Sequence, residues 1–263
     1  MKKVLALVLA LLTLTLVFSA CGTTQKPEET KAAETKDEDK KSEGVMTYAQ
    51  YDAAAKDSKV TIETYIQARQ GWWENNGVGN ATFYTQDDDG GYFLYNMPCT
   101  EAEYAKLVPG TKIKVEGYKS EWSGEIEITD ATFTIIEGKT KTYDAKDITA
   151  KLGTDEIVKF QNQRVKFKGL FIAASQNAAG AEAAFLYKWD GSGQAGDDLY
   201  FKVTDNTNTY TFVVESYLCG KDTAVYKAIE GLKVGDKVDL EGFLYWYEGA
   251  QPHITDCTVI PAN

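Results

Sequence analysis

The feature that most constrains this chain is a repeat within it. Pro109–Gly117 reads PGTKIKVEG, and Val234–Gly242 reads VGDKVDLEG. Ile128–Phe133, ITDATF, is matched by Ile254–Val259, ITDCTV. Thr47-Tyr48 and the Ala-rich stretch after it are matched by Thr142-Tyr143. The step from Gly117 to Asp130 is 13 residues and that from Gly242 to Asp256 is 14, and the matches keep the same order. Two copies of one domain follow, at 46–138 and 142–261. The second is longer mainly between Val165 and Phe212, where Gly191–Asp198, GSGQAGDD, reads as an inserted turn.

Within each copy the apolar residues nearly alternate, which predicts half-buried strands. Lys59–Ile66 places Val60, Ile62 and Ile66 on one face, with Thr64 interrupting the row. Ala81–Thr85 and Tyr92–Tyr95 are short and aromatic, and Asp87–Gly91 between them predicts a hairpin turn. Thr100-Glu-Ala-Glu103 is a capping box, opening a helix that ends at Pro109-Gly110. Lys112–Tyr118 and Glu125–Ile136 complete the copy. The second copy repeats the order: Arg164–Ile172, Leu199–Val203, Thr209–Val214, a helix from an Asp222 cap to Gly231, Lys237–Tyr247 and His253–Ile260. Each copy also begins with a short predicted helix, Thr47 to about Ala55 and about Asp144 to Leu152.

Five strands with a helix between the third and fourth is the order of an OB-fold barrel. The expected fold class is therefore all-β with short helices, as two tandem five-stranded OB-like barrels. The glycine-closed strand followed by I-T-D-x-T resembles the last two strands of bacterial extracytoplasmic OB-fold modules. About 80% of the chain resembles the tandem OB-fold lipoproteins of Gram-positive gut bacteria. That resemblance implies fold and setting, and brings no catalytic residues with it.

The N-terminus predicts export. Lys2-Lys3 precedes an apolar run, Val4 to Phe18, and then Ser19 and Ala20, the marks of a signal peptide over 1–20. The run is shorter than the ~20 residues of a spanning helix. Ser19-Ala20-Cys21 resembles the lipobox of bacterial lipoproteins, with Phe18 where the family usually has Leu. The resemblance implies that Cys21 is lipidated and anchors the chain to the cell membrane, extracytoplasmically. Residues 21–45 then read as the lipidated cysteine and a disordered tether, with no aromatic residue and mixed charge.

The remaining 46–263 hold 21 basic and 32 acidic residues, only two of them Arg. This argues against nucleic acid as a partner, because phosphate neutralisation needs clustered Lys and Arg. A single His excludes His-based metal clusters, and no nucleophile, base and orienting group converge, so no enzyme and no cofactor are predicted. His253 aligns with Glu127, which predicts a surface strand position. Asp87–Gly91 and Asp190–Asp198 lack the terminal Glu of a calcium loop and read as turns. Cys99 and Cys219 stand at equivalent places, which favours three buried thiols with Cys257; a Cys219–Cys257 disulfide is the alternative.

The candidate site is aromatic. OB barrels bind on the second and third strands and the loops after strands one and four. Trp72, Trp73 and Trp122 fall in those loops of the first copy, and Trp246 and Tyr247 after the fourth strand of the second, which has no Trp after its first. Tyr84, Tyr92 and Tyr95 lie on the strands between. Exposed, they form a groove for stacking; buried, they plug barrel ends or join the copies. The expected function is a non-catalytic, lipid-anchored binding or adaptor module for a glycan or peptide. The alternative is a structural partner of other envelope proteins.

Overall fold

The computed structural model describes residues 41–261. In the first half, α1 (Tyr48–Ala53) precedes β1 (Lys59–Arg69), β2 (Val78–Gln86) and β3 (Gly91–Pro98). Then follow α2 (Glu101–Tyr104), β4 (Thr111–Trp122) and β5 (Glu125–Thr140). The sheet runs β1-β4-β5-β3-β2, and β2 pairs back onto β1, so the five strands close into a barrel. All pairs are antiparallel except β3 with β5. In the second half, β6 (Arg164–Ala173), β7 (Leu199–Thr204) and β8 (Thr209–Val214) precede α3 (Ala224–Glu230), β9 (Lys237–Phe243) and β10 (His253–Ile260). Their order is β6-β9-β10-β8-β7, closed by β7 on β6, with β8 and β10 parallel. This β-rich architecture of OB type follows from the alternation, because each inward row fills a barrel. Ile62, Ile66, Phe83, Leu94, Val115 and Ile128 are buried in one core. Phe167, Phe201, Phe212, Val238, Leu240 and Ile254 are buried in the other.

The glycine that ends each repeated motif has a steric cause. Ladder register shifts at Gly117 and again at Gly242, where a bulge bends the strand. A Cβ at Gly117 would meet Ile128 and the Thr129 carbonyl, and one at Gly242 would meet the His253 backbone. The capping box at α2 is complete, Thr100 Oγ1 accepting from the Glu103 amide and Glu103 Oε2 from the Thr100 amide.

Three local expectations differ. The helix expected over about 144–152 is instead a two-residue strand, Lys146–Asp147, pairing parallel with the start of β6, followed by a 3-10 turn at Thr149–Lys151. Asp147 Oδ1 accepts from both the amide and the hydroxyl of Thr149, a local turn that competes with helix. The cap of α3 is Thr223, not Asp222. Lys41 and Ser42, assigned to the tether, contact Asp87 and Glu63 of the first barrel. Among the described residues no disulfide forms: Cys99 and Cys219 are buried free thiols, and Cys257 is free and half-buried. Cys21 and the signal region lie outside the described residues.

Candidate functional site

The two barrels meet on a buried polar and aromatic seam. Tyr84 stacks on Phe243 with centroids 4.5 Å apart and also meets Phe93. Its Oη is hydrogen-bonded to His253 Nδ1 at 2.9 Å. Gln70 Nε2 donates to both oxygens of Glu215, at 2.9 and 2.8 Å. Glu125 Oε2 accepts from Gln161 Nε2 and from the Trp246 amide, at 3.0 and 2.8 Å. His253 is therefore not a surface position. It and its aligned partner Glu127 are both buried, because in each barrel the first turn of the last strand faces the other barrel.

Burial sets the charge here. It pushes Glu125 up to about 8, against the hydrogen bonds it accepts, and Glu127 up to about 7. Burial, with Asp198 nearby, pushes Glu215 up to about 8. It holds His253 down at about 3. The 3.8 Å approach of His253 Nδ1 to Glu215 is thus no ion pair at neutral pH.

At the edge of this seam opens a cleft of about 590 Å³. Asp198 and Tyr200 line it from the start of β7, and Val213 and Glu215 from the end of β8. Tyr245, Tyr247 and Gln251 come from the loop after β9, and His253 opens β10. Trp189 comes from the long loop between β6 and β7. The cleft therefore lies on the second and third strands of the second barrel and on the loops after its first and fourth, the ligand face of an OB barrel. Trp122, at the end of β4, completes the wall from the other barrel, its ring 5.3 Å from that of Tyr247. Tyr245 lies flat on His253, centroids 4.2 Å apart. Three of these rings are largely open to solvent: Trp189 is 74% exposed, Trp122 53% and Tyr247 42%.

Of the sequence-predicted residues, Trp122 and Tyr247 are brought together. Trp72 is elsewhere: its Nε1 donates to the Cys99 carbonyl at 2.9 Å and its ring covers Gly79. Trp73 is exposed on a three-residue strand, Trp73–Asn75, and does not line the cleft. Tyr92 is fully buried, its Oη donating to Asp87 Oδ2 at 2.7 Å. Tyr84 is the seam residue described above. Tyr95 is exposed beside Phe93, outside the cleft lining. Trp246 packs its ring against Gly124 and the second core. Trp189, Tyr200 and Tyr245 were missed. The second barrel does carry a Trp after its first strand. Trp189 sits in the insertion that has no counterpart in the first copy, so alignment of the copies passes over it. Asp87 is buried and holds its turn, Oδ1 accepting from the amides of Asp89 and Gly90.

No family model and no curated protein matches the chain. Among solved structures it is similar to a murine DNA-binding protein bound to double-stranded DNA, at 12% identity and TM-score 0.37, covering 77% of this chain and 96% of that one. It is also similar to the p204 HINb domain, at 12% identity and TM-score 0.35, covering 79% and 100%. A replication protein A heterotrimer bound to single-stranded DNA matches at 11% identity and TM-score 0.33, covering 80% of this chain and 51% of that one. The expectations of a glycan or peptide adaptor, of an envelope scaffold and of no nucleic-acid partner are corrected: the first and third of these structures hold DNA. The physical error lay in reading a summed charge as a property of the site. A base is held by stacking on aromatic faces, which needs no Lys or Arg.

Proposed function

We propose that this protein binds a nucleobase, as a nucleoside or at an unpaired position of a single strand, in the cleft that its two halves share. The observation that carries the reading is the aromatic lining of the OB ligand face, with Trp122 supplied across the seam. Each base–aromatic stack contributes about 1–3 kcal/mol, whatever the base. In this reading the chain is two tandem OB barrels, 46–138 and 142–261, each with its helix between the third and fourth strands. It binds without catalysis. It acts outside the cytoplasm, held to the bacterial membrane through Cys21 as in the lipoproteins it resembles. Labelling of Cys21 with a lipid precursor, lost in Cys21→Ala, tests that placement.

Titration of intrinsic Trp fluorescence with nucleosides and with a short single-stranded oligonucleotide tests the site. Saturable quenching is expected, weakened about tenfold or more in Trp122→Ala, in line with one lost stack. Because the cleft lining holds no Lys or Arg, affinity should change little with salt. Quenching that is absent, or unchanged in Trp122→Ala, refutes the proposal.

A further inference from the structure

We infer that the cleft selects its base by an exocyclic amino group and takes it without a phosphate. This rests on the nucleobase reading and narrows it to a ligand class. Asp198, Glu215 and Gln251 bring hydrogen-bond acceptors into a lining whose Trp and Tyr side chains carry N–H and O–H donors. Asp198 Oδ1 accepts from the amide and hydroxyl of Ser216, at 2.8 and 2.6 Å, while its Oδ2 makes no hydrogen bond among the described residues. Glu215 is held in place by the two contacts from Gln70, and a carboxyl oxygen keeps further accepting capacity beyond one donor. In either protonation state Glu215 retains an oxygen that accepts. The Gln251 side-chain amide makes no hydrogen bond among the described residues and offers one more acceptor beside a donor.

Adenine, cytosine and guanine each present an amino group to such acceptors, as when Glu or Asp accepts from cytosine N4. Uracil has no amino group: it carries a carbonyl oxygen where cytosine carries N4, and its one base-pairing-edge donor is N3–H, so fewer of these acceptors are met. A site built to accept a hydrogen bond discriminates strongly against a ligand that lacks the donor. The Asp198 carboxylate opposes a phosphate. No Lys or Arg lines the cleft to offset that repulsion, and His253 is buried and neutral.

Calorimetric titration of the protein with adenosine, cytidine, guanosine and uridine, and with their 5′-monophosphates, tests the inference. At least tenfold tighter binding of the three amino-bearing nucleosides than of uridine is expected, with each monophosphate weaker than its nucleoside. In Asp198→Asn, which keeps an accepting oxygen and removes the charge, the gap between nucleoside and monophosphate should narrow. Uridine as tight as cytidine, or monophosphates tighter than nucleosides, overturns this inference alone. No heat with any nucleoside and no fluorescence change with the oligonucleotide overturns the nucleobase reading, and this inference with it.

Discussion

Glu125, Glu127 and Glu215 are carboxyls placed where water is scarce, and stability must depend on pH through them. Each has a folded value raised from 4.5, to about 8, 7 and 8. Each therefore binds its proton more readily folded than unfolded. Its contribution is complete below about 4.5 and is lost as pH rises through the folded value. His253 runs the other way: lowered from 6.5 to about 3, it makes stability rise between those values. Above pH 6.5 only the carboxyls act. The melting temperature is expected to fall from pH 6.5 to 8.5, by at most about 1.4 kcal/mol of stability per pH unit for each carboxyl still titrating. Glu125→Gln should make that fall shallower; an unchanged slope in calorimetric melts counts against its burial. Tyr84→Phe keeps the stacking on Phe243 and leaves His253 Nδ1 without its partner. A loss of about 1–3 kcal/mol in chemical denaturation is expected. None of this was legible in the residues themselves. A Glu aligned with a His looks like a solvated position until a second barrel is laid over both.

Strands and turns were far more legible. Alternation reports which side chains share a face, and a shared face without a partner must find a core. The repeated glycines were visible as a pattern but not as a cause. Gly117 and Gly242 are required because the neighbouring strand's backbone crosses where a Cβ would stand. Gly117→Ala and Gly242→Ala are each expected to destabilise by about 1–3 kcal/mol, as overpacking does, measured by urea unfolding. Equal stability to the parent in both would show that the bulges yield. Gly124 plays a related part between elements. It has φ +90 and packs under the Trp246 ring, so the β4–β5 turn of one barrel seats the loop after β9 of the other. The helix expected before the second barrel failed for a local reason, since Asp147 satisfies Thr149 before a helical ladder can start.

The two barrels do not merely follow one another along the chain. Backbone and side-chain hydrogen bonds cross between them at Gly71–Tyr217, Gln86–Arg164, Asn162–Ile126 and Glu248–Ser123. Tyr84, Phe93 and Phe243 form a small apolar cluster of their own between the two cores. One cooperative unfolding transition is expected, monitored together by Trp fluorescence and far-ultraviolet circular dichroism. Phe243→Ala should cost about 3–5 kcal/mol and separate the transition into two. Two transitions in the parent would mean that the seam couples the barrels weakly. The sequence by itself determined a β-rich chain of OB type, where most of its strands run and which side chains turn inward, because periodicity and close packing act within a few residues of each other. Only the tertiary structure decided which aromatic rings meet, drawing Trp122 to Tyr247 in the cleft that Trp189 also lines, while leaving Trp72 on a glycine and Tyr92 in a core. Stacking and burial depend on distance in space, and the seam that sets those distances joins residues more than a hundred positions apart.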